Sequence, residues 1–224
     1  MGHIASDAGR LVPSDRIFSI VAPAREHLEP QNELRAAKNA MRKSVLDQCR
    51  LMTPERRREQ AEEVCIRLRR VAAFVHADVL MYYKADAFEV DVESVVCTLR
   101  SQGTRVCLPR VDWTSKRMTA ALILDLDQDV CLGRHGIWQP SPPCPEAAPE
   151  DLSVILVPGI AFDSTCARLG RGAGFYDRFL ADPRIRAVKI GVAFDEQIVD
   201  AVPMDRWDVR LDAVVTPTRV FERG

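Results

Sequence analysis

Ser153-Val154-Ile155-Leu156-Val157 is a continuously apolar run closed by Pro158-Gly159. A short run without polar alternation reads as a central strand buried on both faces, the pattern of parallel sheets. A polar loop then leads to Gly170-Arg171-Gly172-Ala173-Gly174, and Phe175–Leu180 reads as a short helix. Val188–Ala193 and Ala213–Thr216 supply two more strands. Upstream, Val79–Tyr83 predicts a strand, Asp91–Gln102 a helix ended by Gly103, and Arg105–Leu108 another strand. Strand, helix, strand at this spacing implies parallel pairing, so the class is α/β with a mainly parallel sheet. Met118–Leu124 is a further strand, and residues 125–150, rich in Pro, Asp and Gly, read as a long loop with few regular elements.

Nearer the N-terminus, apolar Leu34, Ala37, Met41, Val45 and Leu46 give Glu33–Arg50 a helical period. Lys38 and Arg42, four apart, project from one face of that helix. Thr53-Pro54-Glu55 carries a capping hydroxyl, a first-turn proline and a first-turn acid, so a second helix starts there and runs to about Phe74. Residues 33–224 are expected to form a single α/β domain, preceded by a poorly ordered extension over residues 1–32.

Of 224 residues, 47% are hydrophobic and 28% charged, an ordinary globular composition. Lys and Arg number 31 against 32 Asp and Glu. That balance argues against a dedicated nucleic-acid binder, which must neutralise many phosphates, but leaves room for a small anionic ligand. The charge is uneven: Glu33–Arg70 holds eleven Lys/Arg against six acids, whereas Asp125–Asp163 holds one Arg against seven. A solvated helix face and a phosphate-binding wall both fit the basic run. The seven cysteines include no C-x-x-C pair and the four histidines are scattered, so no zinc spacing is present. Reduced thiols in a cytoplasmic enzyme are the economical reading. The longest apolar stretches fall well short of the ~20 residues that span a bilayer, so no membrane partner is expected. Ile17–Ala24 is too brief, and too closely preceded by acids, to read as a signal peptide.

Chemistry concentrates in Arg168-Leu169-Gly170-Arg171-Gly172-Ala173-Gly174-Phe175-Tyr176-Asp177. Three alternating glycines between a buried strand and a helix let backbone amides approach an anion closely. Arg168 and Arg171 can pair with phosphate oxygens, and Asp177 can hold a magnesium ion that bridges them. The stretch matches neither a Walker loop nor the dinucleotide fingerprint. Taken alone, it fits a structural turn with a surface aspartate equally well. Glu89-Val90-Asp91 follows another strand, where a helix cap and a loop carboxylate are the plain alternatives. Asp205-Arg206-Trp207-Asp208 has surface charge as its plain reading, and Trp138 either stacks on a flat ring or closes a loop. No G-x-S-x-G accompanies any histidine, and Cys166 as a thiol nucleophile lacks a supporting motif.

Val157-Pro158-Gly159-Ile160-Ala161-Phe162-Asp163 with Arg168 through Arg178 resembles the signature of the 5-formyltetrahydrofolate cyclo-ligase (5,10-methenyltetrahydrofolate synthetase) family. The resemblance continues through Leu34–Arg42, Glu89–Asp91, Gly136–Pro140, Trp207-Asp208 and Val215-Thr216-Pro217, in order, over roughly residues 33–220. It implies a three-layer Rossmann-like sandwich, a mainly parallel central sheet flanked by helices. It also implies ATP- and Mg²⁺-dependent cyclisation of 5-formyltetrahydrofolate to 5,10-methenyltetrahydrofolate, with ADP and phosphate released. By position, Lys38 and Arg42 would reach the ATP phosphates, and Arg168, Leu169, Gly170, Arg171, Gly172, Ala173, Gly174, Phe175 and Tyr176 would form the nucleotide loop. Arg171 through Phe175 would also face the folate, beside Lys84, Glu89 and Trp138. Arg171 and Lys38 would be catalytic, and Asp177 and Asp208 would sit at the magnesium. The sequence departs from the family pattern at Ala173, where many relatives carry Lys or Gly, and at Phe175, which replaces a common Tyr. A monomer in the cytoplasm is expected. A relative that binds folate or nucleotide without turnover is the competing reading.

Overall fold

The computed structural model describes residues 28–133, 136 and 138–224. The apolar run Ile17–Ala24 and most of the expected extension lie outside the described residues. Helix α1 spans Leu28–Leu51, so it begins five residues ahead of the boundary expected at Glu33.

The helix expected from Pro54 to Phe74 is two helices. α2 (Pro54–Leu68) opens on Thr53, whose side chain accepts a hydrogen bond from the Arg56 amide. It stops at Arg69, and α3 (Ala72–Val75) follows Val71, whose backbone is extended. The break lets Phe74 turn fully into the core. The apolar period runs on through residues 69–71, and only packing imposes the break there.

The strands are β1 (Val79–Met81), β2 (Arg105–Asp112), β3 (Arg117–Ile123), β6 (Glu146–Ala147), β7 (Val154–Val157), β10 (Val188–Val192), β11 (Ala213–Val215) and β12 (Val220–Glu222). They form one sheet in the order β12-β11-β10-β7-β1-β2-β3-β6. The five strands from β11 to β2 are mutually parallel, and β12, β3 and β6 add antiparallel margins. The mainly parallel centre therefore holds, while β12 and the antiparallel wing from β3 to β6 widen it. Residues 125–150, read as a loop, contain β6 and a hairpin of β4 (Val130–Leu132) with β5 (Trp138–Pro140). Their prolines and acids hide strands too short for an alternation signal.

β7 is buried throughout and shows why the apolar run decides the fold. Val154 and Leu156 pack on one face with residues of α2, α3 and α4 (Glu93–Ser101). Ile155 and Val157 pack on the other with Phe179 and Leu180 of α5 (Phe175–Leu180). Helices thus cover both faces, as a three-layer architecture requires. The chain leaves β1 through α4 toward β2 and leaves β7 through α5 toward β10, in opposite directions along the sheet. The crevice beyond the carboxyl ends of β1 and β7 is therefore a topological switch point, where open α/β sheets bind ligands.

α1 docks elsewhere. Its Val45 and Cys49 pack with Ile160, Ala161, Ala167, Leu169 and Val202 in a separate small cluster. Several of these belong to a hairpin of β8 (Ala161–Phe162) and β9 (Arg168–Leu169), hidden in what read as a polar loop. Buried Asp163 holds its turn: one carboxylate oxygen accepts from the Thr165 amide and hydroxyl and the Ala167 amide, the other from the Val202 amide.

Candidate active site

At the switch point lies a cavity of about 460 Å³, in the size range of small-molecule sites. The loop after β1 supplies Lys84, Asp86 and Glu89, and the chain after β7 supplies Arg168 through Asp177, less Leu169 and Gly172. Trp113, from the β2–β3 turn, and Trp138 complete an aromatic wall. The structure thus brings together Lys84, Glu89, Trp138, Arg168, Gly170, Arg171, Ala173, Gly174, Phe175, Tyr176 and Asp177.

Arg171 reaches across the cavity mouth. One terminal nitrogen donates to Glu89 at 2.9 Å and also to Asp86. Burial works against the Arg171 charge, but the two carboxylates outweigh it and hold the guanidinium above its ordinary pKa. Glu89 is pushed the other way: burial and the neighbouring Asp86 charge raise its carboxyl, and Arg171 only partly offsets them. Asp86 also donates its amide to Glu89, which fixes the carboxylate's orientation. Lys84 donates to Glu93 at 3.0 Å with its ammonium 5.7 Å from the centre of the Trp138 ring.

Below the loop, Arg168 is nearly buried. It donates to the Pro158 carbonyl and to Asp177 at 2.9 Å, and its guanidinium lies 5.4 Å from the Tyr176 ring centre. Arg168 Nε and the Tyr176 hydroxyl are buried without a hydrogen-bond partner among the described residues. Both residues line the cavity, so a polar ligand there can satisfy groups that otherwise cost free energy. Burial also pushes the Tyr176 phenol well up, which keeps it a neutral donor.

Lys38, Arg42, Gly172 and Asp208 lie outside this cavity, on the α1 side of the glycine loop. Arg42 donates to the Gly170 carbonyl at 2.8 Å, and a side chain at Gly172 would come within 3.5 Å of its guanidinium. Gly172 itself has φ of 102°, a conformation that favours glycine. Lys38 pairs with Asp208 at 2.5 Å, and the same carboxylate oxygen accepts the Asp205 amide. Burial lowers the Arg42 pKa, while Asp208 and Asp177 raise it. Leu169 faces the small cluster under α1, so only its backbone can serve a ligand.

Both carboxylates expected at magnesium therefore act on one guanidinium. Among the described residues, no group of three or more His, Cys, Asp or Glu could hold a metal unaided. Mg²⁺ is commonly bound by one or two carboxylates, with phosphate oxygens and water completing its shell. Asp177 and Asp208 are carboxylates of the donor type such an ion takes, each held here by a cation, Arg168 and Lys38.

Asp91 is not the cap of α4, a position that Val92 takes; it stands one residue earlier and accepts the Glu93 amide in a local turn. Cys166 is buried outside the cavity, with its thiol pushed up by burial, a setting opposite to that of a reactive thiolate. Asp86, Trp113 and buried Gln197 escaped the sequence reading. Gln197 donates to the Gly159 and Ile160 carbonyls and accepts the Phe194 amide, fixing the chain just beyond β7. Only Asp86, three residues before Glu89 beyond a strand end, left a sequence signal.

Comparison with known proteins identifies the architecture. The 5-formyltetrahydrofolate cyclo-ligase family matches residues 34–217. The 5-formyltetrahydrofolate cyclo-ligase of Escherichia coli strain K12 is 31% identical over 175 residues, 77% of this chain and 96% of that protein. An NMR structure of Aquifex aeolicus 5,10-methenyltetrahydrofolate synthetase superposes with a TM-score of 0.72 at 30% identity, covering 83% of this chain and 92% of that one. The Mycoplasma pneumoniae 5,10-methenyltetrahydrofolate synthetase shares the fold, with a TM-score of 0.66 at 21% identity over 80% of this chain and 98% of that one. A match over most of the chain, agreeing in fold and in sequence, shows that it belongs to the 5-formyltetrahydrofolate cyclo-ligase family of ligases.

Proposed function

We propose that this protein converts 5-formyltetrahydrofolate to 5,10-methenyltetrahydrofolate at the expense of ATP, releasing ADP and phosphate. The observation that carries the reading is the glycine loop's double exposure: one side meets Arg42, on the same helix face as the Lys38 that pairs with Asp208, and the other an aromatic cavity ending at Glu89. The formyl oxygen attacks the γ-phosphorus and the bond to ADP breaks. N10 then attacks the activated carbon and gives up its proton to water, and phosphate leaves with the formyl oxygen.

Such transfers need positioning and charge neutralisation more than a protein nucleophile. Lys38, Arg42 and the loop amides neutralise and orient the polyphosphate. Magnesium held by Asp177 and Asp208 would supply additional charge on the phosphate oxygens. Glu89, an acceptor when ionised, takes hydrogen bonds from the amino and amide edge of the pterin. Pterin binding then displaces Arg171 from Glu89 and frees its guanidinium for the transferring phosphoryl group. Trp113, Trp138 and Phe175 cover the flat rings, and the Tyr176 hydroxyl donates within the cavity.

The test is direct. Protein, 5-formyltetrahydrofolate, ATP and Mg²⁺ are mixed, and the methenyl chromophore is followed by absorbance. Steady growth supports ring closure. No growth with folate binding intact would sink it and favour a sequestering protein.

A further inference from the structure

Arg178 stands outside every role given so far. It lies one turn into α5 on the exposed side, and its guanidinium touches three things at once. Nη2 donates to the Ala173 carbonyl at 3.0 Å, and Nε donates to the Lys116 carbonyl at 3.1 Å. The same group lies 5.2 Å from the centre of the Phe175 ring. It also rests on Gly174, where a Cβ would come within 2.9 Å of Nη1.

These contacts join two segments far apart in sequence. Ala173 and Gly174 belong to the glycine loop. Lys116 closes the β2–β3 turn, at a positive φ of 55° that a side chain adopts only under constraint. Asp112 winds the turn from within, accepting the Thr114 and Ser115 amides and the Ser115 hydroxyl. Trp113, on the same turn, meets the Phe175 ring edge to face at 4.9 Å. Phe175 is thus held between Trp113 and Arg178, and Ala173, Phe175 and Trp113 all line the cavity.

The chemistry points to positioning. Among the described residues Arg178 forms no ion pair, so its charge is not spent on a carboxylate. A planar fork can serve two carbonyls and stack on a ring together, whereas an ammonium cannot. Being exposed, the side chain contributes little to the core. Its geometry matters beside Gly174, whose φ of 67° is a conformation that favours glycine and whose residue type brings the greatest backbone freedom.

We propose that Arg178 is a positioning residue that clamps the glycine loop to the β2–β3 turn. It holds the Ala173–Phe175 backbone in the conformation that receives the polyphosphate, and it ties that backbone to the aromatic wall of the folate end. The proposal rests on the ring-closure reading for the identity of the ligands.

The experiment compares wild type, Arg178→Ala and Arg178→Lys by calorimetric titration with ADP and Mg²⁺, steady-state kinetics and thermal melting. The Kd for ADP should rise about tenfold in R178A, with lysine restoring only part of the loss. The KM for ATP should rise more than kcat falls, and melting should stay near wild type. A rise in ADP Kd of under about threefold in R178A overturns the clamp, as does full rescue by lysine. So does a parallel fall in kcat and melting temperature with ADP affinity unchanged. Should R178A fail to fold, R178K decides by the same threefold limit. Wild-type protein that binds ADP without making methenyl product would refute ring closure while leaving the clamp to be judged on Kd.

Discussion

The glycine loop divides the site into two unlike sides. On the α1 side, charges are held in pairs or against carbonyls: Lys38 on Asp208, Arg42 on the Gly170 carbonyl. On the cavity side, aromatic rings set a shape, with Arg171 held by Glu89 and Asp86 at the mouth and the Arg168–Asp177 pair set deeper. A polyanion of fixed chemistry can be met by prearranged cations. A flat, mostly neutral heterocycle needs surface area and a few directed acceptors. Under the proposed function one loop serves both, because its backbone, free of side chains at Gly170, Gly172 and Gly174, can be approached from either side.

The division can be broken most severely at its crossing point. Arg171→Ala should lower kcat/KM about 10³-fold, since a cation aimed at a transferring phosphoryl group contributes far more to the transition state than to binding. Equal rates in mutant and wild type would remove Arg171 from the chemistry.

Asp163→Ala attacks the α1 side through its foundation. Burial alone would raise the Asp163 pKa, but Thr165 and the amides of Val202, Thr165 and Ala167 hold it below the ordinary range. The mutant should lose about 2–3 kcal/mol in denaturant unfolding, the cost of orphaning buried donors. Because the folded pKa is depressed, this stability is present above the unfolded pKa and is lost as pH falls through the folded one. Wild-type acid unfolding should therefore include an Asp163 component that D163A lacks.

Trp113→Ala sharpens the other side. It removes area from the aromatic wall, so the KM for 5-formyltetrahydrofolate should rise about tenfold with little change for ATP. Equal shifts in both constants would show that the two sides are not independent at that residue.

The smallest effect is in pH. Burial and Asp86 raise the Glu89 carboxyl, so it protonates at a higher pH than an ordinary glutamate and loses acceptor capacity first. The folate KM should climb at a higher pH than titration of an ordinary glutamate would give, and Glu89→Gln should flatten that slope, as steady-state assays across pH would reveal.

Legibility in the sequence follows the same division. β7 and the glycine loop were readable because a buried parallel strand has no polar residues and a backbone-recognition loop has few side chains. Lys38 and Arg42 were readable as one helix face, though only the family resemblance gave them a role. The β8–β9 hairpin and β4–β5 were not, since strands of two or three residues leave no period. Trp113 and Arg178 were missed because their importance arises from an encounter between α5 and a turn some sixty residues earlier. No local pattern encodes such a meeting. The split between α2 and α3 was missed for a related reason: the two helices share a period, and only the burial of Phe74 separates them.

α1 is fastened to the hairpin by its own small apolar cluster, apart from the two cores that flank the sheet. A segment so attached has its own opening equilibrium, reached at less cost than global unfolding. Amide protons along α1 should exchange with solvent deuterium before those of β7. Nucleotide bound between Lys38, Arg42 and the glycine loop should slow that exchange, making α1 a built-in reporter of occupancy.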